Sequence, residues 1–374
     1  MTHDEKNRRS RHPSIQVEVL FRLCYRNQSQ DFECSPRVNP YLVPLFTLIL
    51  QERTMRVTNK SIQYDAILVA GEGEDSHRVC GQHKALLKIK GKYVIQHVIE
   101  TLQQVSAIGS IYVAGPVPKL TAAFQSAGIN LGTPKKIHLV QQKSNLFENG
   151  WHAFLNSIPG YAEDNSMNLS AYREKAVLIV PCDAPLITPR EIEYFTGHCD
   201  LDRYDYFLGL TPEQAMAPFY PQGGKPGMKM AYLHMQEKNY RINNLHMVRP
   251  IKVFQRRHIN TMYAFRYQKN IINAVLLAIY LMGKEQPRSL QFLSGLQLAM
   301  LSRRFHFPKL TKFFSRWTPK KDLERAISGL MDTRFCGLEV PYPGAALDID
   351  NDQDYHTMGI MYDQWHKYLA DLAP

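Results

Sequence analysis

Several signatures that would assign this chain to a class at once are missing. The 374 residues include six cysteines, at 24, 34, 80, 182, 199 and 336, without paired metal-ligand spacing or the density of a disulfide framework. The apolar stretch at residues 41–50 contains Pro44 and is too short to cross a bilayer. The mixed-charge start, Met1-Thr-His-Asp-Glu-Lys, does not resemble a signal peptide. We therefore expect a protein of the reducing cytoplasm.

A glycine-rich loop is the most informative feature that is present. The apolar run Ala66–Ala70 predicts a buried strand, and Gly71, Gly73 and Gly81 then lead to Lys84. Glycines let backbone N–H groups turn toward an anion, and a lysine adds positive charge, so this is a candidate phosphate loop. It is neither a Walker loop nor a dinucleotide fingerprint, because the required residues and spacing are missing. A tight turn beside a surface lysine is the alternative.

Two later segments contain carboxylates that are candidates for the same site. Residues 176–187 predict a second buried strand that ends in Asp183, and in an open α/β sheet ligands bind at that end of a strand. Residues 346–355 hold four aspartates, of which Asp348 and Asp350 would share one face of a strand. Carboxylates near a phosphate loop predict a hard divalent cation. A solvated turn before a helix would also explain the acidic run.

These segments, in this order, resemble the MobA-like nucleotidyltransferase family. That family opens with L-A-G-G-x-G-x-R and a K-x-L lysine, continues with an x-D-x-P-L strand end and closes on an I-D-x-x-x-D-Y-like segment. The matching residues here are Leu68–Gly71, Lys84–Leu86, Cys182–Leu186, Asp348–Asp350 and Asp354–Tyr355. Gly91–His97 resembles the family's helix entry, and Asn145–Phe154 resembles its nucleotide-facing segment.

The resemblance implies an α/β fold, a Rossmann-like three-layer sandwich with a mostly parallel sheet. It also implies a Mg²⁺-dependent nucleotidyltransferase, which moves a nucleoside monophosphate from an NTP to a phosphorylated acceptor and releases pyrophosphate. The implied catalytic residues are Lys84, Asp183 and Asp350, with Asp183 and Asp350 as the metal ligands. The implied nucleotide-binding residues are Ala70, Gly71, Glu72, Gly73, Arg78, Lys84, Asn149 and Gly150, with a helix N-terminus near Gly150.

The opening motif departs from the family pattern. Glu72 replaces the second glycine, and Arg78 stands several residues beyond the usual arginine position. A carboxylate near a triphosphate is unfavourable unless a metal or Arg78 offsets its charge. Either Arg78 takes over the missing role, or the loop binds the triphosphate differently.

The resemblance also divides the chain into four parts. They are an N-terminal extension of unknown role (1–62), the nucleotidyltransferase core (63–224), a basic helical insertion (225–335) and the C-terminal part of the core (336–374). The insertion contains 21 Lys/Arg and five Asp/Glu, whereas the whole chain has a net charge of +11. Its patterns predict helices over Asn270–Met282 and Leu290–Leu301, and a basic, aromatic stretch over Arg303–Trp317.

The insertion suggests partners. A basic, aromatic surface fits anionic lipid headgroups, and a solvated helical subdomain is the plain alternative. Nucleic acid is a weaker candidate, because no RNA-binding motif accompanies the basic charge. We expect a cytoplasmic protein with peripheral contact to the inner membrane surface through 225–335. Arg241, Asn243 and Asn244 are candidates for acceptor binding.

The substrates are less determined. A membrane-proximal insertion suits a sugar or polyol phosphate acceptor activated by CTP for headgroup synthesis. The alternatives are a molybdenum-cofactor-type guanylyltransferase, a nucleotide-sugar-dependent glycosyltransferase of the same fold, and a non-catalytic binding protein. The Lys84 motif argues against glycosyl transfer, and the set of Lys84, Asp183 and Asp350 argues against loss of catalysis.

Overall fold

The computed structural model describes residues 63–72, 78–163, 167–254 and 287–372. The N-terminal extension, Gly73 and the predicted helix over Asn270–Met282 lie outside these ranges.

Alternating and continuous apolar runs form the strands of a central sheet. Tyr64–Val69, the first strand, contains the fully buried Ala66, Ile67 and Leu68, as its apolar run predicts. The strands are β1 (Tyr64–Val69), β2 (Lys88–Ile89), β3 (Lys92–Tyr93), β4 (Ile108–Gly115), β5 (Ile137–Gln141), β6 (Val177–Pro181), β7 (Tyr206–Pro212), β8 (Leu233–His234), β9 (Asn239–Val248) and β10 (Phe335–Glu339).

Helices pack around the central sheet. The helices are α1 (Val94–Gln104), α2 (Val117–Ser126), α3 (Leu146–Asn156), α4 (Pro189–His198), α5 (Glu213–Met216), α6 (Pro287–Arg304), α7 (Pro308–Ser315), α8 (Lys320–Met331) and α9 (Asp352–Asp371). In α1, Ile95, Val98, Ile99 and Leu102 recur on one face and are buried in the same core cluster as residues of the sheet. None of the helices in the described ranges combines the length and apolarity that a membrane crossing requires.

The central sheet has eight strands and is mostly parallel. Its order is β10-β7-β9-β6-β1-β4-β5, with β8 paired to β9, while β2 and β3 form a separate antiparallel pair. The pairs β1–β4, β1–β6, β4–β5 and β7–β10 are parallel, so the carboxyl ends of these strands meet at one edge. This architecture confirms the predicted Rossmann-like α/β fold, and it places the residues after β1 and β6 side by side.

Strand β9 runs antiparallel between β6 and β7 in the middle of the sheet. It belongs to the segment 225–335, so a boundary at residue 225 does not separate the sheet from the helices. Helices do follow in α6, α7 and α8, and α6 confirms the helix predicted over Leu290–Leu301. The stretch Arg303–Trp317 is broken between α6 and α7, where His306 has a positive φ and Pro308 starts the new helix.

A bulge in β9 faces the strand β7. Leu208 pairs with His246 and Leu210 with Ile242, so three residues of β9 lie opposite the single residue Gly209. Asn244 lies in this bulge with φ +60°, a left-handed conformation that asparagine tolerates better than most residues. The Asn243 side chain occupies the space that a Cβ atom at Gly209 would need.

The carboxyl group of Glu191 connects the bulge to two other segments. Glu191 is wholly buried in the first turn of α4, where Thr188 caps the helix and accepts a hydrogen bond from the Glu191 N–H at 3.2 Å. Its carboxyl oxygens accept hydrogen bonds from Asn243 Nδ2 at 3.3 Å and from the Ala345 N–H at 2.9 Å. Burial raises the pKa of Glu191 well above its usual range, although backbone N–H groups at Ala345, Thr188 and Gly344 oppose the shift.

Replacing Gly209 by alanine should destabilise the fold. The new methyl group would overlap the Asn243 side chain, and overpacking of a rigid interior costs about 1–3 kcal/mol of unfolding free energy. Gly197→Ala is the matched control, because a Cβ atom there meets nothing within 4 Å and alanine favours a helix. Urea denaturation measures both variants, and equal midpoints would contradict this account of the bulge.

Glu191→Gln should also lower the unfolding free energy, by about 2–3 kcal/mol, because an NH₂ group replaces one acceptor oxygen and leaves either the Ala345 N–H or Asn243 Nδ2 without its acceptor. The control is Glu193→Gln on the exposed side of α4. Thermal denaturation compares the two variants. If Glu193→Gln were as destabilising as Glu191→Gln, the buried carboxyl would not have the connecting role described here.

Candidate active site

Lys84 joins two carboxylates that are far apart in sequence. It begins a short 3-10 turn, Lys84–Leu86, which is anchored by the fully buried Ala85. Its Nζ atom lies 3.2 Å from Asp350 Oδ1 and 3.5 Å from Asp183 Oδ2. The structure therefore brings together the three residues that the sequence predicts as catalytic, at the carboxyl edge of the sheet.

A backbone hydrogen bond brings the acidic segment to Asp183. The Ile349 N–H donates to the Asp183 carbonyl at 3.0 Å, and Leu347 and Ile349 are fully buried. Residues 347–350 form an irregular segment after the turn Gly344–Ala346, rather than the strand considered from the sequence. The predicted alternation still applies, because Asp348 and Asp350 both line the cavity described below.

Two other aspartates of this segment, Asp348 and Asp354, have partners of their own. Arg241 Nη2 lies 2.5 Å from Asp348 Oδ1, and Arg241 Nε donates to the Ala346 carbonyl at 2.8 Å. Burial alone would lower the pKa of Arg241, but the Asp348 carboxylate outweighs it and raises that pKa. Asp354 Oδ2 accepts hydrogen bonds from the Asp350 N–H at 3.2 Å and from Asn351 Nδ2 at 2.7 Å. Asp354 thus orients the start of α9, and Asp350 is left facing Lys84.

The pKa of Asp183 differs strongly from its ordinary value. Burial raises its pKa to about 6, Lys84 opposes the shift, and Asp348 and Asp350 add to it. Burial likewise raises the pKa of the neighbouring Cys182 thiol, which makes it a packing group rather than a nucleophile. The site therefore holds more negative charge than Lys84 and Arg241 neutralise, as a cation-binding site would require.

The candidate phosphate loop is held by residues from two other elements. Asn149, almost fully buried, fills the space that a side chain at Gly71 would need, so these two predicted residues pack together. Asn149 Oδ1 also accepts from the Lys143 N–H at 2.5 Å. Ala70 is buried, and its N–H bonds to the Ala114 carbonyl at 2.8 Å as part of the sheet.

Glu72 has a cationic partner that the sequence did not reveal. Lys119, in the first turn of α2, lies with its Nζ atom 2.5 Å from Glu72 Oε2, and this bond lowers the pKa of Glu72. The Glu72 N–H donates to Gln142 Oε1 at 2.8 Å. Arg78 Nη1 donates weakly to the Gly81 carbonyl at 3.5 Å, so Lys119 rather than Arg78 is paired with this acid. Only proximity after folding identifies Lys119.

Helix α3 begins earlier than expected. Asn145 caps it by accepting a hydrogen bond from the Glu148 N–H at 2.9 Å, so the first turn starts at Leu146 and Gly150 lies in the second turn. Gly150 nevertheless lines the cavity, beside Val69 of β1. The N-terminus of α3 and Gly150 therefore lie at two neighbouring positions near the site, whereas the sequence predicted them at the same position.

A cavity of about 220 Å³ opens beside the carboxylates. Apolar residues from β1, β6, α3 and β9 form most of its wall, and Asp183, Asp348 and Asp350 stand at one side. Within it, Tyr206 Oη and His246 Nδ1 are hydrogen-bonded at 2.9 Å. This pair was not singled out in the sequence, since its members come from neighbouring antiparallel strands.

The three residues predicted to bind the acceptor are separated by the β9 bulge. Asn244 lines the cavity, whereas Asn243 is fully buried and bonded to Glu191. Arg241 is paired with Asp348 at the margin of the carboxylate group. Of the three, Asn244 is the one whose side chain can meet a molecule in the cavity, and the interior position of Asn243 does not fit acceptor binding.

Comparison with known proteins identifies the family of this chain. The sequence matches the MobA-like NTP transferase domain over residues 66–267. Comparison with curated protein sequences finds no significant match. Similar solved structures include a hypothetical transferase from Thermus thermophilus, at 16% identity and a TM-score of 0.46, covering 78% of this chain and 99% of that one.

Two further structures are similar over comparable lengths. One is CMP:2-keto-3-deoxy-manno-octonic acid synthetase complexed with CTP, at 15% identity and a TM-score of 0.40, covering 81% of this chain and 99% of that one. The other is 4-diphosphocytidyl-2C-methyl-D-erythritol synthase from Anaerococcus prevotii, at 12% identity and a TM-score of 0.38, covering 81% and 96%. The match to the family extends over more than half of the chain: the protein belongs to the MobA-like NTP transferase family and is a nucleotidyltransferase.

Proposed function

We propose that the protein transfers a nucleoside monophosphate from CTP to a phosphorylated small-molecule acceptor, such as a sugar or polyol phosphate, with Mg²⁺ as the cation. The observation that carries the proposal is the position of Lys84 between Asp183 and Asp350, directly after His83, whose Nε2 lies 3.4 Å from the Gly71 carbonyl oxygen. Positive and negative groups at one sheet edge suit a reaction that consists mainly of alignment and charge neutralisation.

The reaction needs little covalent chemistry from the protein. An oxygen of the acceptor phosphate attacks the α-phosphorus, the bond from that phosphorus to the α–β bridging oxygen breaks, and pyrophosphate leaves with the bond electrons. The acceptor is already anionic, so a strong general base is not needed. In the proposal, Lys84 stabilises phosphate oxygens while the Gly71 loop and the start of α3 hold the triphosphate.

The carboxylates fit a hard divalent cation, and members of this family commonly use divalent metal ions. Within the described ranges there is no group of three or more His, Cys, Asp or Glu side chains arranged to hold a metal ion. Two carboxylates suffice for Mg²⁺, which keeps several waters and takes further ligands from substrate phosphates. Asp183 and Asp350 would hold it, and when bound it would supply positive charge to the phosphate oxygens.

The acceptor has a candidate position in the cavity beside these carboxylates. Asn244 and the Tyr206–His246 pair offer hydrogen-bonding groups there, and the apolar wall suits the less polar face of a ring. We favour CTP because the basic segment 225–335 would suit an enzyme that works near a membrane. There, a sugar or polyol phosphate acceptor would be activated by CTP for headgroup synthesis. A cytoplasmic location with peripheral contact to the inner membrane belongs to the same proposal.

Two alternatives differ in the nucleotide and in the bond formed. A guanylyltransferase of the molybdenum-cofactor type would use GTP at the same carboxylates. A glycosyltransferase of this fold would bind a nucleotide sugar, but the contact of Lys84 with both carboxylates favours a triphosphate substrate.

The first experiment measures pyrophosphate release from CTP, GTP, UTP and ATP with Mg²⁺ against a panel of sugar and polyol phosphates. We expect turnover with CTP. In Asp183→Asn and in Asp350→Asn, we expect kcat to fall by about 10²–10³-fold, because charge stabilisation at the α-phosphate is weakened.

The matched control is Asp363→Asn, an exposed carboxylate on α9 that pairs with Lys90 at 2.7 Å and should leave kcat unchanged. Turnover with GTP alone would favour the guanylyltransferase. Tight binding of a nucleotide sugar without pyrophosphate release from any triphosphate would indicate glycosyl transfer.

The raised pKa of Asp183 predicts a pH-dependent stability in metal-free buffer. In the folded protein the carboxyl titrates near 6 rather than 3.8, so the folded state binds more protons between these values. This contribution is fully present below about pH 4 and is lost as pH rises through about 6, a change of about 3 kcal/mol. Relative to wild type, Asp183→Asn should therefore gain stability by that amount from pH 4 to pH 8. A pH-independent difference in urea denaturation would contradict the shift.

A further inference from the structure

Residues 300–316, which comprise the end of α6, the turn after it and α7, expose several large apolar side chains to solvent. Phe305, Phe307 and Phe313 are 60%, 55% and 48% exposed, and Met300, Leu301 and Leu310 are also exposed. Exposed cations stand among them: Arg303, Arg304, Lys309, Lys312 and Arg316. These eleven residues are here called the basic aromatic surface. Apolar side chains grouped in this way indicate an interaction site.

The inward faces of these helices are filled by other residues. Phe292 and Ala299 of α6 are buried, and α7 buries the polar Thr311 and Ser315. Phe313 and Leu310 of α7 therefore point outward while smaller, more polar neighbours point inward. This reverses the usual arrangement of a surface helix, in which the apolar stripe faces the core. Phe313 packs edge-on against the rings of Phe314 and Trp317, and it is still 48% exposed.

The positive charge of this surface limits the kinds of partner that it can bind. From Gln286 to Lys321 the sequence contains eight Lys/Arg and no Asp/Glu. Such a stretch repels cations and attracts a dense array of anions. Anionic lipid headgroups and the phosphates of nucleic acid both provide such an array.

We propose that the basic aromatic surface docks the protein onto an anionic lipid bilayer. The phenylalanines would enter the headgroup region, while the lysines and arginines meet lipid phosphates. The aliphatic members, Met300, Leu301 and Leu310, favour lipid over nucleic acid, because they offer no ring on which a base could stack but gain from burial among acyl chains.

The surface connects to the sheet edge that holds the active site. Arg303 Nη2, at the end of α6, lies 3.8 Å from Glu213 Oε1. Glu213 follows directly after the last residue of β7, Pro212, at the carboxyl edge of the sheet. Docking would thus hold the proposed acceptor site close to the bilayer without any helix crossing it.

The test is co-sedimentation of the full chain with vesicles. We expect binding to phosphatidylcholine vesicles with roughly 30 mol% phosphatidylglycerol, and little binding to phosphatidylcholine alone. The triple variant Phe305→Ala, Phe307→Ala, Phe313→Ala should lower the partition coefficient by about tenfold or more, because it removes the side chains that enter the interface. Lys309→Gln with Lys312→Gln should lower it by roughly thirtyfold, and most strongly at low salt.

Matched controls replace residues of the same type elsewhere. Ile360→Ala removes an apolar side chain that is 67% exposed on α9, and Lys229→Gln with Lys367→Gln removes two exposed charges. Both controls should bind vesicles like wild type. Nucleotidyl transfer without vesicles should be equal in all these proteins, so a failure of docking is distinguishable from a failure of the proposed reaction.

Other occupants give different results. Equal binding to neutral and anionic vesicles, or wild-type binding by the triple variant, would overturn the proposal. So would single-stranded RNA binding that the triple variant loses while vesicle binding is unaffected. A dimer in light scattering that the triple variant converts to a monomer, together with absent vesicle binding, would assign the surface to a second copy of the chain.

Discussion

The position of the acidic residues depends on one buried carboxyl group. Glu191 accepts hydrogen bonds from β9 through Asn243 and from the turn before Asp348 through the Ala345 N–H. Its own helix starts shortly after Asp183. A buried acceptor of this kind is favourable only when all its donors are in place, so the three segments must assemble together. The geometry of the site is therefore determined by a residue that lines no part of the cavity.

The site itself is a balance of burial and charge. Removing carboxylates from water is costly, and the cost is offset here by two cations: Lys84 between Asp183 and Asp350, and Arg241 beside Asp348. Burial raises the pKa of Asp183, and the neighbouring carboxylates of Asp348 and Asp350 add to the shift. Such a site is unfavourable in isolation, and a cationic ligand relieves it. At the glycine-rich loop, Lys119 offsets the negative charge of Glu72 in the same way.

Local sequence patterns predicted the elements that depend on residues close together in the sequence. The apolar run of β1, the strand before Asp183 and the lysine after the glycine loop were each identifiable from spacing and residue type, and they determine the fold. What the sequence did not reveal depends on contacts between distant segments. Lys119 pairs with Glu72, and Tyr206 pairs with His246, only because the sheet order makes them neighbours. Asn243 and Asn244 could not be distinguished, because the β9 bulge turns one inward and the other to the cavity.

The antiparallel insertion of β9 between β6 and β7 has a consequence for how the chain folds. Both neighbours precede β9 in sequence, so on the ribosome the centre of the sheet stays open until residue 248 has emerged. The edges of β6 and β7 are exposed during that interval. Asp350 arrives a further hundred or so residues later, with the last helix. Because of this order of synthesis, the active site is completed only at the end of folding. A partly synthesised chain has unpaired strand edges, to which chaperones can bind or through which chains can aggregate.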